Sequence, residues 1–411
     1  MRHPELLIPA GDLETLKIAV MYGADAVYVG GELFSLRAKA KNFTIEELKE
    51  GVEFAHAHGV RVYIAFNIFA FHGEIEEARA YLVKLREVMP DAFIVSDLSL
   101  IEMMKEIIPE AEIHVSTQWN NSNYETFNFW YALGARKVVV ARELSIAEIK
   151  EIRAHIPEDM LIESFIHGAM CIAYSGKCQL SSCFTGRDSN HGACTHPCRW
   201  KFALYKGDVL GEETPEQISE DYAYFMNSKD LCMIEHIPDL IDAGIDSFKI
   251  EGRMKTVLYV ATVTRTYRMA IDAFLRNPEE YQANMKTYLA EISKGTFRDY
   301  TTGFFYGKPD HDAQIYDNNT YVKNYTYLGY VEELSEDGMA IITQRNKFFV
   351  DDTIEIMKPD GRNISAKVEA IYDETMRPME SCPHPKQKLS IKLSEAVEQY
   401  DVFRKFDEVN F

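Results

Sequence analysis

The sequence predicts an α/β fold in which a (β/α)8 TIM-like barrel carries a cysteine-rich insertion after its seventh strand and is followed by a small C-terminal β-barrel domain. Three observations lead to this prediction. Short apolar runs alternate with helical periods, glycines repeatedly separate a helix from the next strand, and the pattern near the C-terminus changes to short alternating strands. A chain of 411 residues exceeds one ordinary core, whereas a barrel of about 250 residues plus a smaller module accounts for it.

The barrel is predicted within residues 1–295, where strand and helix patterns alternate. Apolar runs predict strands at Leu6–Pro9, Ala26–Val29, Val62–Phe66, Phe93–Val95, Ile113–Val115, Lys137–Val140, Leu161–Phe165 and Ser247–Ile250. Helical periods predict helices at residues 12–22, 44–58, 74–88, 98–108, 123–133, 145–154, 232–243 and 255–292. Thr44 and Glu47 form a capping box at the second helix start. Eight such strands are the number that closes a parallel barrel.

The C-terminal part of the chain has a different pattern. Residues 296–311 contain Gly, Thr, Tyr and Pro without a helical period, and we expect them to connect the barrel to a second domain at 312–411. From about Tyr321, short alternating runs are separated by Glu-Asp-Gly and Pro-Asp-Gly turns. This spacing predicts the small β-barrel.

Composition limits where the protein acts and what it binds. The sequence shows neither an apolar run long enough to span a membrane nor a secretory signal, so we expect a cytoplasmic protein without membrane contact. In a reducing compartment, dense cysteines indicate a metal or cluster site more often than disulfides. The formal charge of −20 disfavours phosphate backbones, so binding to a nucleic acid requires a local basic patch.

The predicted insertion, residues 168–232, contains most of the cysteines. Cys194 and Cys198 are close in sequence, whereas the intervals from Cys171 to Cys178 and from Cys178 to Cys194 are 7 and 16 residues, too wide for a zinc ribbon. An iron–sulfur cluster tolerates wide spacing when four thiolates converge. The ligands would come from the loop after the seventh strand and from the start of the next helix, where we expect Cys232.

Three stretches, "ELLIPAGDLETLKIAVMYGADAVYVGG", "ESFIHGAMCIAYSGKCQLS" and "SFKIEGRMK", resemble the collagenase-like peptidase family U32, and the similarity covers nearly the full chain. Its better understood members are tRNA and rRNA hydroxylation proteins and anaerobic ubiquinone hydroxylation proteins, with a [4Fe–4S] cluster and a dependence on prephenate. The resemblance implies Cys171, Cys178, Cys194 and Cys232 as ligands, with Cys198 as an alternative to Cys194.

The same resemblance implies an activity and partners. The expected reaction is prephenate-dependent 5-hydroxylation of the wobble uridine of tRNA. The expected partners are therefore the anticodon loop of tRNA and prephenate. A homo-oligomer, or a hetero-oligomer with a related family member, is also consistent with it.

Charged side chains at the ends of the seventh and eighth strands are the predicted catalytic residues: Glu163, His167, Lys249 and Glu251. Charges in apolar strands require partners, so the alternative is that Glu163, Lys249 and Glu251 pair with one another across the barrel.

Substrate-binding residues are predicted in the loops that follow other strands. Guanidinium and ammonium groups suit both the carboxylates of prephenate and the phosphates of RNA, and an indole can stack on an extruded base. The residues are Arg37, Lys39, Lys41, Trp119, Arg142 and Arg253. A solvated basic face and an ordinary packed tryptophan are the alternatives.

Two other functions compete with RNA hydroxylation. A peptidase is suggested by the family's name, but the sequence lacks HExxH and G-x-S-x-G motifs, and Glu163 and His167 on a strand make a poor metal pair. The second competing function is hydroxylation of a small aromatic or quinone substrate. The C-terminal β module favours RNA, because such modules often serve docking.

Overall fold

The computed structural model describes residues 3–36, 41–203, 205–206, 216–217 and 224–407. The chain divides into two compact units. The first comprises Met1–Leu13, Ala26–Met254 and Phe297–Tyr321; the second comprises Glu14–Asp25, Lys255–Thr296 and Val322–Phe411.

In the described part of the first unit, eight parallel strands close into a barrel. They are β1 Glu5–Pro9, β2 Ala26–Gly30, β3 Arg61–Phe66, β4 Ala92–Val95, β5 Glu112–Val115, β6 Lys137–Val139, β7 Leu161–Ala169 and β8 Ser247–Ile250. Each strand pairs with the next in order, and β8 pairs with both β7 and β1. The predicted (β/α)8 fold is therefore confirmed, with the cysteines clustered after β7.

The described helices follow the strands along the chain. They are α1 Leu13–Met21, α2 Ile45–Ala57, α3 Ile75–Arg86, α4 Leu98–Ile107, α5 Tyr124–Ala132, α6 Ile146–His155, α7 Leu180–Thr185, α8 Ile237–Asp242, α9 Val257–Arg276, α10 Pro278–Ala283 and α11 Met285–Ile292. The capping box of Thr44 and Glu47 is present at α2. No helix among them is long and apolar enough to cross a membrane.

The helix predicted at 232–243 begins later than expected. Asp230–Cys232 instead forms a short strand antiparallel to β7, in which Cys232 lies opposite His167. The expectation that Cys232 opens a helix is therefore wrong. The reason is that β7 continues past Phe165 to Ala169, so that its last residues offer backbone groups with which a later segment pairs.

The C-terminal half departs from the prediction in two further places. The helix expected at 255–292 is divided into three. Asn277 has an extended backbone and Pro278 starts a new helix, and Asn284 separates that helix from the next one. The stretch predicted as a connector, 296–311, contains the strand Tyr300–Thr301, which pairs with Asp230–Leu231. That stretch thus belongs structurally to the surroundings of the insertion.

The second unit contains an antiparallel sheet, as expected for the C-terminal domain. Its longer strands in the described residues are β9 Tyr325–Tyr330, β10 Ala340–Thr343, β11 Thr353–Met357, β12 Asn363–Tyr372, β13 Lys388–Leu393 and β14 Val402–Phe406. They pair in the order β9, β14, β11, β12, β13, β10. Ile342, Ile356, Val368 and Phe403 are buried in its core.

A buried ion cluster joins the helices of the second unit to this sheet. The Glu291 carboxylate on α11 accepts hydrogen bonds from Arg265 on α9 at 2.7 Å and from Arg404 on β14 at 3.0 Å. Both arginines are at most 1% exposed. Each guanidinium also has other acceptors. The Glu291 carboxylate is the acceptor that both of them share.

Replacing Glu291 by alanine should destabilise the protein by about 3–5 kcal/mol, because it leaves two buried guanidinium groups without their common carboxylate. Equilibrium unfolding in urea measures the change. Glu395→Ala, at an exposed position, is the control and should leave the midpoint unchanged. An equal midpoint for both variants would contradict the role of the cluster.

The same carboxylate makes stability depend on pH. Burial opposes ionisation, but the charges of Arg404 and Arg265 and the hydrogen bond from Lys294 outweigh it and lower the pKa of Glu291 from 4.5 to about 2. Because the pKa of Glu291 is lower in the folded protein than in the unfolded chain, its ionised carboxylate stabilises the fold at pH values above 4.5. This contribution is lost as the pH falls from 4.5 toward 2. Glu291→Ala should therefore lose less stability than wild type across that interval.

Candidate functional site

A cavity of about 420 Å³ opens at the carboxyl ends of the barrel strands. Its floor includes Tyr28 of β2, Phe165 of β7 and Lys249 of β8, and its wall is formed by the cysteine-bearing segment that follows β7. In (β/α)8 proteins this face carries the active site, because the loops after all the strands converge there. The cavity is thus the candidate functional site.

Four thiols line this cavity: Cys171, Cys178, Cys194 and Cys198. The backbone N–H of Leu180 donates to the sulfur of Cys178, and the N–H of His196 donates to that of Cys194, both at 3.4 Å. Such bonds favour the thiolate form that binds metals.

The insertion is fastened at its two ends by one arginine. Arg199 donates to the Met170 carbonyl at 2.8 Å and to the Asn227 side-chain oxygen at 2.6 Å. Inside the insertion, Thr195 donates its N–H to the Ser181 hydroxyl at 3.1 Å. These bonds hold the segments that carry the four thiols along one wall.

Burial raises the pKa of Cys178 and raises that of Cys198 to about 11. Without a bound cation these thiols therefore remain protonated at neutral pH. Among the described residues, no three His, Cys, Asp or Glu side chains come close enough together to hold a metal ion. The donor chemistry suits an iron–sulfur cluster, but the thiols would have to turn toward one another to enclose it.

The remaining cysteines lie elsewhere. Cys232, predicted as a ligand, is buried in the strand opposite His167 and is not among the residues that line the cavity. Cys183 is exposed on α7. Cys382 is buried in the core of the C-terminal sheet, where the Phe348 N–H donates to its sulfur at 3.2 Å. None of these three cysteines lines the cavity.

Buried charges of alternating sign run through the barrel interior. Lys137 lies 2.6 Å from Glu5 and 3.6 Å from Glu163, and Lys249 lies 2.6 Å from Glu163. We call these four residues the charge ladder. It confirms that Glu163 and Lys249 are paired, which was the structural alternative for two of the predicted catalytic residues. The ladder reaches the cavity through Lys249.

The ladder changes the ionisation of its members. Burial would raise the pKa of Glu5, but the charge of Lys137 and hydrogen bonds from Lys137, Tyr63 and Ser247 outweigh it and lower the pKa to about 2. Burial lowers the pKa of Lys249, against the opposing effect of Glu163. The Lys249 ammonium also lies 4.6 Å from the Tyr28 ring centre. It is the member of the ladder that lines the cavity.

Several other predicted residues reach the cavity. The Arg142 guanidinium lies 4.1 Å from the Phe165 ring centre. Arg253 donates to the Ser35 hydroxyl at 2.7 Å and lines the cavity, as does Glu251. The structure thus brings Arg142, Arg253, Glu251 and Lys249 together with three of the predicted ligands, Cys171, Cys178 and Cys194.

The remaining predicted residues in the described structure do not line the cavity. His167 is 2% exposed, with its ring 5.6 Å from that of Tyr300. Lys41 is exposed and pairs with Asp12, and Trp119 packs edge-on against Trp130. None of the three predicted residues lines the cavity. Arg37 and Lys39 lie outside the described residues.

Sequence reasoning missed some residues of the cavity. Arg298 and Tyr321 line it, with the guanidinium 4.1 Å from the Tyr321 ring, yet Arg298 lies in the predicted connector. Gln118, directly before Trp119, also lines it. Arg298 gave no local signal, because the stretch around it also contains Asp299, Lys308 and Asp310, whereas Gln118 shared the strand-end signal of its neighbour.

The charge of the cavity contrasts with that of the chain. Its cationic side chains among the described residues are Arg142, Arg199, Lys249, Arg253 and Arg298. Glu251 is the carboxylate that lines it with them. In a chain of net charge −20, this concentration of positive charge selects an anionic or acceptor-rich ligand.

The chain is similar to proteins of one family over most of its length. Residues 11–315 match Peptidase family U32, and residues 323–404 match the Peptidase family U32 C-terminal domain. It is 43% identical to the tRNA hydroxylation protein P1 of Bacillus subtilis, over 98% of this chain and 95% of that one. It is 32% identical to a 23S rRNA 5-hydroxycytidine synthase of Escherichia coli, over 89% and 53% of the two chains. A collagenase of Porphyromonas gingivalis is also 32% identical, over 98% of each.

Neutralising Glu163 should destabilise the barrel by about 3–5 kcal/mol, because Glu163→Gln leaves the buried Lys249 ammonium without its carboxylate. Urea unfolding gives the change in free energy, with Glu110→Gln at an exposed position as the control. The double variant Glu163→Gln/Lys249→Met removes both charges and should be more stable than Glu163→Gln alone. If the double variant is the less stable, the pair is not coupled as described.

Proposed function

Because the chain belongs to peptidase family U32, we propose that it is an RNA-modifying enzyme that hydroxylates the wobble uridine of tRNA at C5 and depends on prephenate. The observation that carries the proposal is the cationic, thiol-lined cavity at the functional face of the barrel. Relatives named for tRNA hydroxylation and for rRNA hydroxycytidine synthesis support RNA as the substrate class.

The surface of the insertion supports an RNA substrate. Residues 171–203 contain four cationic side chains and one carboxylate, a net charge of +3 in an acidic chain. Lys177, Arg187 and Lys201 are exposed there, as are the aromatic rings of Phe184 and Trp200. Exposed rings beside cations suit unpaired RNA, because bases stack and phosphates pair. A wobble base lies in an unpaired loop and enters a cavity without opening a duplex.

The cations of the cavity support a small acid as co-substrate. Prephenate carries two carboxylates, and guanidinium groups bind carboxylates through paired hydrogen bonds. Arg142 and Arg298 each have a buried side-chain nitrogen that lacks a hydrogen-bond partner in the described structure. Lys249 adds an amino group to the cavity lining. We expect these groups to bind and orient the acid against the base.

The proposed cofactor is a [4Fe–4S] cluster held by Cys171, Cys178 and Cys194 with a fourth cysteine. When all four irons have thiolate ligands, such a cluster supplies electron transfer rather than an open Lewis-acid position. The fourth ligand is Cys232 according to the family resemblance, whereas the shared cavity wall supports Cys198.

A peptidase is the second candidate, since one relative is named a collagenase. Hydrolysis of gelatin by purified, metal-free protein would favour it. Unchanged gelatin, together with a tRNA phenotype, favours RNA hydroxylation.

Deleting the gene should remove 5-hydroxyuridine-derived nucleosides from bulk tRNA, because the proposed enzyme forms the hydroxyl group from which they derive. Mass spectrometry of nucleosides measures the loss. Plasmid-borne wild type should restore them, and purified protein should need added prephenate to hydroxylate tRNA from the deletion strain. Unchanged nucleosides in that strain would refute the proposal.

Serine variants of Cys171, Cys178 and Cys194 should each lose iron and acid-labile sulfide when purified without oxygen, because each removes a proposed ligand. Cys183→Ser, in the same insertion but away from the cavity, is the matched control and should retain both. Retention of iron by all three variants, or one zinc per chain in the wild type, would contradict the cluster.

The fourth ligand is assigned by Cys198→Ser and Cys232→Ser, made separately. The variant that loses iron identifies the ligand. Retention by both would contradict a cluster held by four cysteines.

A further inference from the structure

The side-chain amide of Gln118 is held by a hydrogen bond to Ser96. The hydroxyl of Ser96 donates to Gln118 Oε1 at 2.7 Å, and both residues are at most 2% exposed. An amide has one acceptor end and one donor end. Because Ser96 occupies the acceptor end, the NH2 group is left to face the other way.

That NH2 group has no hydrogen-bond partner in the described part of the chain, although it is buried. A buried donor without an acceptor is unfavourable, so such a group indicates a bound ligand or water. Gln118 lines the cavity. The neighbouring Thr117 hydroxyl already donates its hydrogen to the Val140 carbonyl at 2.8 Å, so it is not a second donor for a ligand. Gln118 therefore brings a buried donor without an acceptor to the lining of the cavity.

The surroundings of this donor suit a flat ring. Tyr28 and Phe165 line the same cavity, and Arg142 stacks on Phe165 at 4.1 Å. Apolar and aromatic groups together with a few precisely placed polar groups are the usual composition of a small-molecule site. The matching feature of the ligand is an acceptor oxygen on its edge.

We propose that Gln118 determines base specificity by donating from Nε2 to the 4-carbonyl oxygen of the uracil ring, with Ser96 as the residue that positions the amide. This rests on the proposed function. Cytosine carries an amino group at the same ring position, so two donors would face each other and the base would be rejected. The carboxylate of a small acid is also an acceptor, and the experiment separates the two sources.

The test uses full-length protein and two anticodon stem-loop RNAs that differ in having uridine or cytidine at the wobble position. Equilibrium binding is followed by fluorescence anisotropy, and hydroxylation by mass spectrometry. Gln118→Glu replaces the donor by an acceptor. It should weaken binding of the uridine RNA at least about tenfold and shift the uridine-to-cytidine preference by about a hundredfold. Gln118→Met, which only removes the donor, should weaken uridine binding without favouring cytidine.

Ser96→Ala frees the amide to rotate, so it should reduce the preference while both RNAs still bind. Gln282→Glu, exposed on α10, is the control for the added charge and should change nothing. Thermal unfolding confirms that each variant is folded. The Michaelis constant for prephenate is measured for every active variant and should stay within about twofold of wild type.

An unchanged base preference in Gln118→Glu would overturn the proposal, and a raised Michaelis constant for prephenate would then assign the donor to the carboxylate. Binding and turnover separate this inference from the proposed function. Wild type that prefers the uridine RNA through Gln118 but never hydroxylates it would refute the reaction and retain the specificity residue. Wild type that binds neither RNA would refute both.

Discussion

The barrel depends on the pairing of charges that it buries. Glu5, Lys137, Glu163 and Lys249 place two carboxylates and two ammonium groups inside a parallel sheet, where an unpaired charge would be costly. They come from β1, β6, β7 and β8, the strands on either side of the closure. The ladder is neutral as a whole, and every member has an opposite charge beside it. The same ion pairs therefore link strands near the closure of the barrel and hold Lys249 at the cavity.

A neighbouring histidine adds no charge to this interior. Burial, reinforced by the charge of Lys137, lowers the pKa of His114 to about 4, so the ring is neutral near pH 7. The ring packs edge-on against Tyr63, which in turn donates to Glu5. The neutral state keeps the balance of the ladder intact. The barrel interior thus contains the paired charges of the ladder and one histidine, His114, that stays neutral near pH 7.

Local sequence patterns predicted the elements of the fold more fully than the site. The strands, most of the helices and the cap at Thr44 depend on residues close in sequence, which periodicity detects. Cys232 was placed in a helix because its pairing with the extended end of β7 is a long-range contact. Arg298 reaches the cavity through the pairing of Tyr300 with Asp230, which no local pattern reveals. The orientation of the Gln118 amide depends on Ser96, which lies on a different strand end.

The cluster of Arg265, Glu291 and Arg404 has a consequence for synthesis of the chain. The chain alternates between the two units, and the second is assembled from three separate segments. Arg265 and Glu291 leave the ribosome well before β14, which carries Arg404. Because domains generally fold as units, α9 and α11 can pair Arg265 with Glu291 early but complete their packing only after the last strand has been made. A nascent chain stalled before that strand already contains all eight barrel strands but lacks the Arg404 guanidinium that completes the cluster.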